Sequence, residues 1–156
     1  MTIYVLYVIL NVIEIVKDVF MKDWKLIDLK VIGDHRGNMI PLEYPKQLPF
    51  DLKRIYYIYD VPANERRGFH SHNDLEQILI AVSGKVTILV KTPFKEENIV
   101  LDSPDKGLYV GPMIWREMYD FSEGAVLLVL ASHEYDEFDY IRDYKEYEVK
   151  AKEFFR

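Results

Sequence analysis

The chain contains no cysteine, which excludes disulfide bonds, thiolate metal sites and cysteine nucleophiles and suits a reducing, cytoplasmic setting. It also lacks an excess of basic residues, with 20 Lys and Arg against 26 Asp and Glu and a formal net charge of −6. General nucleic-acid binding draws its affinity from Lys and Arg displacing counterions along phosphates, so that function class is set aside. A local basic cluster for one small phosphate ligand remains allowed. No apolar run reaches the roughly 20 residues of a membrane-spanning helix. The longest, Ile3 to Val16, is interrupted by Asn11 and Glu14. Neither a basic leader nor a small-residue cleavage site accompanies it, so it does not read as a secretory signal. With Asn11, Glu14 and Asp18 on one stripe, a helix here has a broad apolar face that needs cover. Ordinary domain character begins near Met21, so residues 1–22 read as an N-terminal extension and residues 23–156 as one domain. A chain of 156 residues leaves no room for a second catalytic domain. Internal repeats, low-complexity tracts and linkers are also missing.

What is present is globular composition, 49% hydrophobic and 29% charged, with twelve tyrosines. Tyrosine suits sheet interiors and ligand pockets equally, so its abundance decides nothing alone. From Lys25 to Glu43 short apolar runs flank Gly33, Asp34, Gly37 and Asn38, the pattern of a hairpin turning near Asp34–Asn38. Pro41, Pro45 and Pro49 punctuate a loop. The segment 51–61 alternates Arg54, Tyr56 and Ile58 with Ile55, Tyr57 and Tyr59, as a strand does. Further strands are expected at 68–72, 77–82, 85–91, 99–101, 108–110 and 125–131. Many short strands about ten residues apart, with hardly a helical period, predict a sandwich or barrel. From about Glu137 to Phe155, Phe138, Ile141, Tyr144 and Tyr147 recur every three residues and predict a terminal helix.

The chemistry concentrates in Arg66-Arg67-Gly68-Phe69-His70-Ser71-His72-Asn73-Asp74-Leu75-Glu76-Gln77. On a strand His70 and His72 share a face, because side chains alternate with period two. Two partly exposed surface histidines are the plain alternative. A His-x-His pair followed by a carboxylate and a later third His is the metal-binding pattern of cupins. Here the carboxylate position holds Gln77, adjacent Glu76 belongs on the opposite face, and Glu117 stands where the third His is expected. Two imidazoles and an amide make a weak ligand set, so no metal is expected, although a carboxylate such as Glu117 can also ligate.

A series of motifs carries a specific resemblance. Arg67-Gly68-Phe69-His70 resembles an element of the nucleotide-sugar 3,5-epimerases. The longer Arg-Gly-Phe-His-x-His with Leu75-Glu76-Gln77 is similar to the cupin-type sugar 3,4-ketoisomerases. Asp34-His35-Arg36-Gly37, Ile55-Tyr56-Tyr57-Ile58, Gly107-Leu108-Tyr109-Val110-Gly111-Pro112, Trp115-Arg116-Glu117-Met118 and Tyr135-Asp136-Glu137-Phe138-Asp139-Tyr140-Ile141-Arg142 resemble ketoisomerase signatures in the same order. The resemblance spans about Lys25 to Tyr147.

It implies an all-β cupin, a jelly-roll antiparallel barrel with a short C-terminal helix and an additional N-terminal segment. It further implies an isomerase that moves the ketone of a dTDP-linked 4-keto-6-deoxyglucose from C4 to C3, in the biosynthesis of 3-amino-3,6-dideoxy sugars for surface glycans. Such a reaction needs a base near C3 and no metal or redox cofactor. Histidine, with an ordinary pKa near 6.5, is mostly neutral at pH 7 and can return the proton. His70 coincides with the base position of the similar epimerases, and His72 relays or positions the proton, or merely orients its neighbour. Arg36, Arg54, Arg67 and Arg116 are the candidates for clamping the diphosphate, Arg67 first among them. Gln77 is free to hydrogen-bond the sugar. Trp115 and the tyrosines suit base stacking or core packing. In the family the residue after the Trp is often His, whereas here it is Arg116, which resembles the gluco-forming members. Arg36 resembles the galacto-forming ones, so the configuration at C4 stays open. The resemblance also implies a homodimer with exchanged strands, residues 24–60 crossing to the other subunit and residues 1–20 near the shared surface. A 3,5-epimerase, a metal-dependent cupin oxygenase and a non-catalytic sugar-binding module are the alternative readings.

Overall fold

The computed structural model describes residues 23–156, so the apolar run expected as an extension at residues 1–22 lies outside the described residues. Among the described residues the strands form two five-stranded antiparallel sheets and a small hairpin. The strands are β1 (Trp24–Asp28), β2 (Ile32–Asp34), β3 (Gly37–Met39), β4 (Arg54–Tyr59), β5 (Arg67–His72), β6 (Gln77–Ser83), β7 (Val86–Lys91), β8 (Glu96–Leu101), β9 (Lys106–Val110), β10 (Trp115–Tyr119), β11 (Val126–Ala131) and β12 (Tyr140–Ile141). One sheet runs β1-β9-β6-β11-β4 and the other β12-β5-β10-β7-β8. This is the jelly roll implied by the motifs.

The two sheets face each other because each strand sends alternate apolar residues inward. Leu79 and Ala81 of β6, Ile88 and Val90 of β7, Leu108 and Val110 of β9, and Leu127 and Val129 of β11 form one buried cluster. Tyr56 and Ile58 of β4 and Met118 of β10 border that cluster and meet the polar residues Arg54, Arg67 and His70 at one end of it. The outer face of the first sheet is apolar too. Ile78, Ile80, Tyr109 and Leu130 are covered there by Leu48 and Phe50 from the proline-punctuated loop, with Leu42 and Leu52 alongside. Ile55, Tyr57 and Tyr59 of β4, on the same outer face, are left more than half exposed.

Two expected elements differ from the observed ones. The hairpin expected across 25–43 is confined to β2 and β3, whose turn is closed by the Arg36 N–H donating to Asp34 Oδ1 at 2.8 Å. β1 leaves it to pair with β9, from Trp24 opposite Val110 to Asp28 opposite Lys106. The terminal helix α1 spans Tyr144–Phe154 and starts later than its three-residue spacing suggests. Asp136 caps a 3-10 turn at Glu137–Asp139, and β12 then pairs with β5. Only after that does Asp143 accept from the Glu146 N–H at 2.8 Å and nucleate α1, as an N-cap aspartate does.

Candidate active site

β5 presents the histidines, and its backbone is bent to do so. Gly68 has φ of +93° and Phe69 φ of +55°, a left-handed conformation that a bulky side chain rarely adopts. The β5–β10 register shifts between Arg116 and Glu117, opposite this point, the mark of a β-bulge. Glycine is required at position 68, because a Cβ would lie 2.7 Å from the Arg116 carbonyl oxygen and 3.1 Å from Glu117 Cα. The bend brings the His70 ring to its own strand, with Nδ1 3.0 Å from the Gly68 carbonyl oxygen. A carbonyl only accepts, so Nδ1 carries the proton and Nε2 keeps its lone pair.

His72, wholly buried, is held in the same tautomer by a different partner. Its Nδ1 lies 2.8 Å from Asp139 Oδ2, leaving Nε2 buried without a partner among the described residues. The two imidazoles meet edge to face with centroids 4.9 Å apart, and the Tyr140 ring lies 5.0 Å from His70 and 4.2 Å from His72. Burial, with the Arg116 charge adding to it, pushes the His70 pKa down to about 3. Burial also pushes His72 down to about 4, although the Asp139 carboxylate pulls the other way. Both rings are therefore neutral at pH 7 and able to accept a proton.

A cavity of about 490 Å³ opens at this end of the barrel, lined by Arg54, Tyr56, Arg67, His70, Tyr135, Tyr140 and Arg142 among others. That volume suits a small-molecule ligand. Of the four arginines expected to converge on a diphosphate, Arg54 and Arg67 line this cavity. Arg116 does not reach its mouth. It is 1% exposed, and its Nε and both Nη atoms lack hydrogen-bond partners among the described residues. Burial lowers its pKa to about 10, so it stays cationic at pH 7. Arg36 is not brought to the cavity within the chain at all. It stands on the β2–β3 hairpin, paired to Asp34 at 2.6 Å. Gln77 donates from Nε2 to the Tyr56 hydroxyl at 2.8 Å, on the inner wall.

The remaining singled-out residues face away. Tyr109 donates its hydroxyl to Glu76 Oε2 at 2.7 Å on the far side of the first sheet, as the strand alternation predicts. Glu117 accepts from the Trp115 indole at 3.2 Å and lies 3.5 Å from Arg66 Nη1. Trp115 packs edge-on to Tyr144 of α1, with centroids 4.9 Å apart, and so serves core packing. Three site residues had no role assigned from the sequence: Asp139, Tyr140 and Arg142. All lie in the Tyr135–Arg142 motif, and the acidic and aromatic run that follows the last long core strand is the signal that marks them.

Fold and site together define a cupin barrel equipped for acid–base chemistry by paired neutral histidines, with cationic side chains around them. The model of the family described as "FdtA: WxcM-like, C-terminal" matches residues 22–152, and the chain belongs to that family. It is 48% identical over 120 residues to a TDP-4-oxo-6-deoxy-alpha-D-glucose-3,4-oxoisomerase of Aneurinibacillus thermoaerophilus, covering 77% of this chain and 86% of that protein. Among solved structures it is similar to a variant of the 3,4-ketoisomerase QdtA of Thermoanaerobacterium thermosaccharolyticum in complex with TDP-4-keto-6-deoxyglucose. That match has a TM-score of 0.83 and 50% identity, over 85% of this chain and 96% of the other. The WlaRB TDP-quinovose 3,4-ketoisomerase of Campylobacter jejuni matches with a TM-score of 0.78 and 48% identity, over 81% of this chain and 97% of that one.

Proposed function

We propose that this protein is a sugar 3,4-ketoisomerase that moves the ketone of TDP-4-keto-6-deoxyglucose from C4 to C3. The observation that carries the reading is near 50% identity, over almost the full length of solved ketoisomerases, in a chain whose barrel holds His70, its Nδ1 turned to the Gly68 carbonyl, at a cavity of about 490 Å³. The ketone at C4 acidifies the hydrogen at C3. His70 Nε2 takes that proton, the C3–H electron pair becomes the C3–C4 double bond, and the carbonyl pair moves onto O4. As the hydroxyl proton leaves O3 and one reaches O4, the enediol forms the new C3 carbonyl, and the His70 imidazolium returns its proton to C4. Oxidation at C3 and reduction at C4 balance within the sugar, so the step calls for no external oxidant. Arg54 and Arg67 are the proposed diphosphate ligands, Gln77 a wall contact to the sugar, and His72 the relay that takes the hydroxyl proton from O3 to O4.

The same reading places Arg36 in a partner's site. Ile55, Tyr57 and Tyr59 form an exposed apolar stripe on the β4 edge, and a separate apolar hollow of about 470 Å³ beside Ile27, Leu48 and Tyr109 lies at the opposite, β1–β9 side of the same sheet. Such surfaces are usually buried in partners, and a two-fold dimer is the commonest solution. β1 and β4 pair within their own chain, so the β2–β3 hairpin is the element proposed to cross, carrying Arg36 to the other subunit. Among the described residues no helix is long and apolar enough to cross a membrane. A cytoplasmic site of action and a product destined for 3-amino-3,6-dideoxy sugars of surface glycans complete the proposal.

Incubation with TDP-4-keto-6-deoxyglucose in deuterium oxide tests it. A 3-keto product is the expected result, with deuterium at C4 in the turnovers in which the His70 imidazolium exchanges with solvent before returning its proton, and His70→Asn lowers the rate by about 10²–10⁴, the usual weight of a general base. Deuterium at C3 and C5 of an unmoved 4-ketone makes the protein an epimerase instead.

A further inference from the structure

We infer that Asp139 is a positioning residue of the reaction, holding the His72 relay proposed above in the one tautomer that leaves Nε2 as its acceptor. The inference rests on the ketoisomerase reading above. Ketone migration moves two protons, one between carbons and one between oxygens, and a single imidazole already occupied with the carbon-bound proton leaves the oxygen-bound one without a carrier. Microscopic balance needs an acceptor for the O3 hydroxyl proton and its return at O4, with no net gain or loss. His72 is the second imidazole in the barrel, 4.9 Å from the first between ring centroids. Its Nε2 is buried and unpartnered among the described residues, an uncommon state for a buried polar atom. An unmet acceptor next to the base is suited to a hydroxyl donor brought in by substrate.

Asp139 decides which ring nitrogen is that acceptor. Its Oδ2 takes the His72 Nδ1 proton at 2.8 Å, and its Oδ1 accepts from the Asp74 N–H at 2.9 Å. Its carbonyl accepts from the Asn73 N–H at 2.9 Å and from Asn73 Nδ2 at 3.0 Å. The carboxylate is thus fixed on both sides by the β5–β6 turn, and it cannot swing away from the ring. An acceptor-only group at Nδ1 forces the lone pair onto Nε2. Neither Glu137 nor Asp136, the other acids of this segment, can replace it, because they are committed to Arg142 and to the Phe138 N–H.

Asp139→Asn tests the assignment, since Asn keeps an oxygen for Asp74 while offering its amide N–H to the ring, which turns His72 to the Nε2–H tautomer. The expected result has three parts. The value of kcat falls by about 10²–10⁴, as for a mis-set general base. KM and calorimetric TDP affinity stay within about threefold, and the ¹⁵N resonances of His72 move from the Nδ1–H to the Nε2–H pattern. A variant whose kcat stays within about threefold of wild type overturns the inference, as does an unchanged His72 tautomer. Asp139→Glu, which restores a carboxylate, is expected to recover part of kcat, and a Glu variant as slow as Asn argues for a merely structural role. A wild-type protein that leaves the ketone at C4 sinks the ketoisomerase reading and this inference with it. An active wild type with an equally active Asn variant sinks this inference alone.

Discussion

Acid is the perturbation that most directly interrogates the buried imidazoles. His70 is displaced from an ordinary 6.5 to about 3, with burial the larger cause and the Arg116 charge the next. Because its folded pKa lies below the unfolded value, the unfolded chain binds the proton first as pH falls. Stability therefore rises with pH between about 3 and 6.5, and it is lost on acidification through that window. At pH 4 the linkage from His70 amounts to about 3 kcal/mol at full weight, since each pH unit below 6.5 contributes about 1.4 kcal/mol. Water at the cavity mouth screens part of this, so about half, near 1.5 kcal/mol, is the working figure. His72, displaced to about 4, adds to the same trend. Urea midpoints at pH 7, 6, 5 and 4 for wild type and His70→Asn isolate the term, because carboxylates shared by both proteins cancel in the difference. The wild-type advantage over the variant should shrink by about 1–2 kcal/mol between pH 7 and pH 4. A constant difference, or an NMR titration of His70 near 6.5, refutes the reasoning. The same displacement carries into kinetics. The acid limb of kcat/KM, which reports the free enzyme, should fall below pH 5, and the limb of kcat should lie higher, because a bound diphosphate favours the imidazolium.

Gly68→Ala should cost about 2–4 kcal/mol in urea unfolding, from a strained backbone plus a Cβ pressed on β10, and it should slow turnover by displacing His70. A stable, active variant would mean that the bend at Gly68 does not aim the base. Arg67→Ala should weaken calorimetric TDP binding by roughly ten- to a hundredfold, the weight of a charge-assisted pair, whereas unchanged affinity returns Arg67 to the solvated surface. Light scattering should give a dimer that Tyr57→Glu dissociates. Mixing Arg36→Ala with His70→Asn subunits should then restore part of the activity that each lacks, because one site of the mixed dimer keeps both residues. A monomeric wild type defeats the exchange.

How far the fold was legible follows from where each strand's alternation survives. β4 reads cleanly from the sequence because Arg54, Tyr56 and Ile58 turn inward while Ile55, Tyr57 and Tyr59 stay exposed, and β6 and β11 read as apolar runs. β10 does not, since Trp115-Arg116-Glu117-Met118 is buried throughout and puts two charges where periodicity asks for apolar residues. The motif singled these residues out, but pattern alone could not say that Arg116 lies inside the barrel and Glu117 outside it. The histidine pair was legible for the opposite reason: period two on a strand dictates a shared face whatever the fold. What sequence could not reach was the partner of each ring. Asp139 is 67 residues from His72, and only the return of the chain through β12 to pair with β5 brings them together. The local contact of His70 with the Gly68 carbonyl is hidden for a subtler reason, because it accompanies a bulge at which Gly68 approaches the β10 backbone and Met118 too closely for a Cβ. The residues proposed to do the chemistry were thus recoverable from local pattern, and those that set their tautomers were not, because tautomer is decided by long-range contacts and by backbone geometry. That division explains why the candidate base and arginines could be named from motifs, whereas the placement of Arg116 and the contact of Asp139 with His72 had to wait for the fold.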